Sequence, residues 1–280
     1  MKESNRPIKV RDATVAGIFY PDDPSELDAK IASLLETAKP SVAGATAILS
    51  PHAGLDYSGD LSALAWKSAI GRPVDTIIIL SPFHGADKAI VYLPESDCFD
   101  IPTGRLTVDR EIIDELHDCG TLLSINDIPH FEEHGIELQL PFMHALFPEA
   151  RLVPILLGIP NPAAVKALST ALSLVFADRA KSTLFVISSD IGSSVDDGEA
   201  ERSAQRFLDL FLASDGSAMI KDLAKSDGRA CGSGISSAFF SSGLASGSSP
   251  VLLSRHDSSA SRESGEERLV HYAAIAFRHD

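Results

Sequence analysis

Three short runs decide the fold: Ala47-Ile48-Leu49-Ser50-Pro51-His52-Ala53-Gly54, Ile77-Ile78-Ile79-Leu80-Ser81-Pro82-Phe83-His84-Gly85, and Leu184-Phe185-Val186-Ile187-Ser188-Ser189-Asp190-Ile191-Gly192. Each is an apolar stretch ending in serine, followed by a His or Asp and then a Gly. A run apolar on both faces is the pattern of a strand in a covered parallel sheet. If the three strands are parallel, their polar side chains emerge at one rim, where open α/β sheets place ligands. The glycine after each lets the backbone turn sharply into the next element.

Working outward, strands are expected at residues 45–50, 76–81, 152–157 and Thr183–Ser188, with a final one at 269–277. Helical spacing occupies Pro24–Thr37, 58–69, 109–117, 133–146, Pro162–Phe176 and 201–213. Strand–helix alternation predicts a layered α/β fold. Segments 241–249 and 254–267 are polar and Gly/Ser-rich and are read as surface loops. They lie between apolar segments and mark no boundary, so one domain is expected over residues 1–280.

The 280 residues are 44% hydrophobic and 22% charged, an ordinary globular balance. A formal net charge of −15 repels phosphate backbones and argues against general nucleic-acid binding. Three cysteines without tight spacing make no disulfide framework and suit a reducing cytosol. The N-terminal segment lacks a signal peptide's apolar run, and no stretch of roughly 18 apolar residues appears. A cytoplasmic protein that does not enter a membrane is expected.

His52 and His84 are the leading candidate site residues. Two imidazoles on neighbouring strand ends can share one metal ion, since neutral ring nitrogens bind iron, copper or zinc. The bland alternative is two loop histidines bonded to backbone. Cys231 precedes the apolar segment 235–244, and a thiolate at a helix N-terminus is both stabilised there and a soft metal ligand. Its alternative is an inert buried cysteine, the reading given to Cys98 and Cys119. His134 and Glu137 lie three apart and share a face if that segment is helical. Asp190 is a carboxylate ligand, a base or an orienting group, or else a helix N-cap. No nucleophile elbow surrounds Ser188-Ser189, and Gly232-Ser233-Gly234 lacks the rest of a dinucleotide fingerprint.

Taken together, these motifs resemble the Memo family, which includes the microbial AmmeMemoRadiSam system protein B. The resemblance rests on Phe19-Tyr20-Pro21, Pro51-His52-Ala53-Gly54, Tyr57-Ser58-Gly59, Ser81-Pro82-Phe83-His84 and the run from Glu133 through Phe142. Ser188-Ser189-Asp190, Cys231-Gly232 and Tyr272-Ala273-Ala274-Ile275-Ala276-Phe277 extend it over nearly the whole chain. It implies a three-layer αβα sandwich with a central mixed, largely parallel sheet, like that of class III extradiol dioxygenases. It also implies iron(II) or copper held by His52, His84 and Cys231. Asp190 and His134 are then the candidate catalytic groups, and Tyr57, Phe83, Glu137 and Ser193 the expected pocket residues.

In two places the chain departs from the family's pattern. The pattern has histidine where this chain has Ser193, and serine where it has Gly135. Serine cannot exchange protons near neutral pH as a histidine does, which weighs against oxygenase turnover and leaves the three ligands in place. The first expectation is therefore a metal-binding, redox-capable Memo-like protein whose catalysis is open. The second is a dioxygenase-like enzyme acting on a small aromatic molecule. The third is a non-catalytic module binding a small molecule, a peptide or partner proteins of a radical-SAM-associated modification system.

Overall fold

The computed structural model describes residues 6–223, 230–260 and 268–279. Among them, two sheets form. The smaller joins β1 (Val10–Arg11), β5 (Cys98–Ile101) and β6 (Gly104–Thr107) in that order. The larger contains β2 (Ala47–Ser50), β3 (Thr76–Pro82), β4 (Val91–Leu93), β7 (Leu123–Ile125), β8 (Arg151–Leu157), β9 (Thr183–Ser188), β10 (Gly192–Ser194), β11 (Ser248–Asp257) and β12 (Leu269–His279). Its order is β10-β12-β2-β9-β3-β8-β4-β7, with β11 on the outer side of β12.

The four central strands β2, β9, β3 and β8 run parallel. Strand β12 is antiparallel to β2, and β4 to β8, so parallel pairing at the centre gives way to antiparallel flanks. Every residue of β2 and β9 is buried, which accounts for their unbroken apolar patterns. Each fully buried Leu, Ile or Phe there contributes roughly 1.5–3 kcal/mol relative to exposure.

The helices are α1 (Pro24–Thr37), α2 (Leu55–Ser68), α3 (Arg110–Asp118), α4 (Ile128–Glu132), α5 (Leu140–Leu146), α6 (Pro162–Phe176), α7 (Asp197–Leu212), α8 (Gly216–Asp222) and α9 (Ser233–Ser241). The crossover from β2 through α2 to β3 steps one way along the sheet, and that from β8 through α6 to β9 steps back. Right-handed crossovers of opposite direction place α2 and α6 on opposite faces. Helices α1, α2 and α5 pack together, as do α6 with α9, α8 with α9 and α7 with α8, which completes three layers. The helix starts follow capping chemistry. Asp23, Asn161 and Asp196 each accept a backbone N–H three residues on, with Pro following at α1 and α6.

Two expectations are corrected. Residues 133–146 are not one helix. Glu133 is extended, Gly135–Ile136 form a turn, Glu137–Gln139 make one 3₁₀ turn, and α5 starts only at Leu140. The Glu133 carboxylate accepts the N–H groups of His134 and Gly135, so the backbone there bonds to a side chain instead of a helical ladder. Pro141, without an N–H, then sits in the first turn of α5. Nor is the polar stretch after α9 all loop, for residues 248–257 form β11 against residues 271–279 of β12. Of the second expected loop, residues 261–267 lie outside the described residues.

Candidate metal centre

The parallel order β2-β9-β3 brings the three quoted strand ends to one rim, with Asp190 after the central strand and a histidine on each side. His52 is 2% exposed. Its Nδ1 lies 3.0 Å from Ser188 Oγ. That hydroxyl donates its one proton to the Gly135 carbonyl at 2.7 Å and accepts from Gln139 Nε2 at 3.2 Å. It therefore accepts from His52 as well, so His52 carries a proton on Nδ1 and directs Nε2 at Cys231 Sγ, 3.2 Å away.

His84 is arranged by the same logic with a different partner. Its Nδ1 lies 2.9 Å and 3.1 Å from the two oxygens of Glu133, both acceptors. Its Nε2 is again left to face Cys231, to which His84 is hydrogen-bonded. One ligand atom from each of His52, His84 and Cys231 lies within 4.8 Å of the others. A tetrahedral ion with bonds of about 2.1 Å to nitrogen and 2.3 Å to sulfur needs N···S separations of about 3.6 Å. Two imidazoles with their Nδ1 atoms occupied, facing one thiol, fit a soft or borderline transition metal.

Electrostatics sharpen the arrangement. Burial pushes the Cys231 thiol up, yet the adjoining imidazoles, His52 foremost, bring it down to about 6. Burial acts to lower both histidines, but the thiolate and, for His84, Glu133 overcome it, raising His52 to about 9 and His84 to about 10. Burial would raise Glu133, but His84 and His134 hold it well below the carboxylate range. Before a metal arrives, the cluster is a thiolate between two imidazolium rings.

His134 completes a triangle of rings, with centroids 5.3 Å from His52 and 5.1 Å from His84. It also stacks on Phe19 at 5.0 Å and lies 3.1 Å from Glu133 through Nδ1. Burial and the neighbouring cationic rings lower its pKa to about 4, so it is neutral at pH 7. His84, Glu133 and His134 form a second cluster of metal-ligand types. Its carboxylate is already engaged by two imidazole Nδ1 atoms and three backbone N–H groups, leaving it the role of an anchor.

Asp190 begins no helix, which removes the N-cap alternative. It sits between β9 and β10 and accepts the His52 backbone N–H at 3.2 Å. Glu137 shares no face with His134. It is fully buried and paired with Arg11, and it accepts the Tyr20 hydroxyl at 2.6 Å and the Thr14 and Val15 backbone N–H groups. Its carboxylate anchors the N-terminal strap, and no such contact lines a pocket. Phe83 lines a cavity of about 240 Å³ together with His84 and Cys231. Tyr57 lines a larger one beside Phe19. Ser193 on β10 accepts from Arg268 Nη1 at 3.1 Å. Cys98 and Cys119 stand apart as free thiols on β5 and at the end of α3.

Sequence reasoning passed over Glu133 and Arg11. Glu133 stands directly before His134, and carboxylates beside candidate ligands are a usable signal for an anchor. Arg11 lies 126 positions from its partner, and nothing local announces it.

Related sequences match this chain over nearly its whole length. MEMO1 family proteins of Methanococcoides burtonii and Desulfurococcus amylolyticus are each 29% identical, over 95% and 96% of this chain and 99% of their own. A crystal structure of an uncharacterized protein from Escherichia coli K12 aligns with 82% of this chain and 98% of its own, at 11% identity and a TM-score of 0.44. The family model described as Memo-like protein matches residues 11–276. This chain therefore belongs to the Memo-like protein family.

Proposed function

We propose that this chain is a Memo-like metal-binding protein, with iron(II) or copper held by His52 Nε2, His84 Nε2 and Cys231 Sγ. One observation carries the reading: each imidazole has its Nδ1 engaged by an acceptor, so two Nε2 atoms turn toward one thiolate. A bound ion of this kind supplies redox and Lewis-acid chemistry at its open positions. The chain's own residues supply the rest. Ser188 and Glu133 fix the rings, Asp190 holds the His52 backbone, and neutral His134 stands beside the cluster. The position where the family pattern has histidine instead carries Ser193, bonded to Arg268. Oxygenase turnover on a small aromatic is thus the weaker reading, since His134, the neutral imidazole beside the cluster, has its pKa lowered to about 4 and is a poor proton acceptor at pH 7.

Anaerobic purification followed by elemental analysis tests the proposal. Wild-type protein is expected to carry close to one equivalent of iron or copper, and His52→Ala and Cys231→Ser to lose most of it. Equal, trace metal in all three would sink the assignment.

A further inference from the structure

A cavity of about 470 Å³ opens beside the histidine cluster, within the range of small-molecule sites. Phe19, which stacks on His134, forms one wall, and Ala53 and Gly54, which directly follow His52, form the floor. Ile18, Tyr57, Val270 and Tyr272 keep the lining mainly apolar and aromatic, and Ser258 adds a hydroxyl. Among its described lining residues the one fixed charge is Arg268, with no Asp or Glu beside it. That placement stands out in a chain with a net charge of −15. Arg268 Nη1 donates to Ser193 Oγ at 3.1 Å, and no carboxylate pairs with the guanidinium among the described residues. The serine steadies one arm of the guanidinium fork without neutralising it.

We infer that this cavity binds a small aromatic carboxylate, its ring between Phe19, Tyr57 and Tyr272 and its acid group on Arg268. A guanidinium held by a neutral acceptor keeps donors for a carboxylate. Aromatic walls favour a flat apolar body over an aliphatic polar one. Phe19, stacked on His134, and Ala53, the residue after His52, connect this cavity to the proposed metal centre. As the substrate class of that centre the inference rests on the metal reading, but as a binding site it stands without metal.

The test is calorimetry on the metal-free full chain with 2-naphthoate and its neutral amide, 2-naphthamide. The acid is expected to bind about tenfold more tightly than the amide. Arg268→Gln should abolish that preference, Arg268→Lys retain part of it, and Ser193→Ala reduce it. Tyr57→Ala should weaken both probes alike. Equal affinity for acid and amide overturns the inference, as does failure of both to bind, or a preference that persists in Arg268→Gln. Tighter binding of 2-naphthyl phosphate than of the acid overturns the carboxylate assignment. Metal content of the same preparations separates the two ideas: the acid preference is expected to survive in His52→Ala even where metal is lost.

Discussion

Glu133 holds His84 at two points, with Oε2 accepting the backbone N–H at 2.7 Å and the ring Nδ1 at 2.9 Å. The carboxylate thereby fixes both the position of the residue and the tautomer of its ring. Removing such a partner ordinarily lowers metal affinity by about 10–100-fold. Glu133→Gln keeps the shape but offers one oxygen and an amide donor to a group that needs acceptors. Iron or copper affinity, measured by competition with a chelator, should fall within that range while the fold persists. Unchanged affinity would show that His84 is not held as a ligand through Glu133.

The Cys231 thiol, brought down to about 6 by its histidines against the effect of burial, should react as a thiolate near neutral pH. Burial raises Cys98 and Cys119 instead. In metal-free protein, iodoacetamide should therefore label Cys231 first, with a rate that rises through about pH 6. His52→Ala should move that midpoint upward, because the largest opposing charge is gone. Peptide mapping over a pH series reads both effects.

The buried pair of Arg11 and Glu137 gives a stability prediction with a definite sign. Burial would raise the Glu137 carboxyl, but Arg11 and the Tyr20 hydroxyl hold it below the ordinary carboxylate value. A depressed folded-state value contributes stability that is present above the unfolded value and is lost as pH falls through the folded one. Arg11→Met leaves the carboxylate buried and unpaired and should cost about 3–5 kcal/mol near pH 7. The difference from wild type should shrink in acid below the ordinary carboxylate range. Urea unfolding at several pH values measures it, and a pH-independent difference would contradict the pairing.

A Cβ placed on Gly232 would lie 2.3 Å from the Cβ of Ser189, an atom no side-chain rotation can move. Gly232→Ala must shift the segment carrying Cys231 away from the end of β9. Metal content should drop nearly as far as in Cys231→Ser, while far-ultraviolet circular dichroism stays close to wild type.

The rim of the site was readable because it is written locally. An apolar run, a serine, a polar residue and a glycine recur three times, and parallel pairing of β2, β9 and β3 turns that recurrence into proximity. What surrounds the rim was not readable, because it is made of pairings across the chain. Arg11 meets Glu137, Ser188 meets Gly135, and Ser193 meets Arg268, each over more than fifty positions. The helical spacing of 133–146 misled for a related reason. The apolar period is real in α5, but Glu133 turns its carboxylate onto the backbone and interrupts the helix that the period suggests. Strand β11 was hidden by serine and Pro250; it exists because β12 offers it a long partner.

The buried amide of Gln139 has consequences outside the site. Its Oε1 accepts from Trp66 Nε1 at 2.8 Å, while Nε2 donates to the Pro51 carbonyl and to the Ser188 hydroxyl that receives His52. Trp66 is the chain's single tryptophan. The molecule thus carries an intrinsic optical probe two side chains removed from His52, and the emission of one indole can follow loading and loss at the cluster without any label.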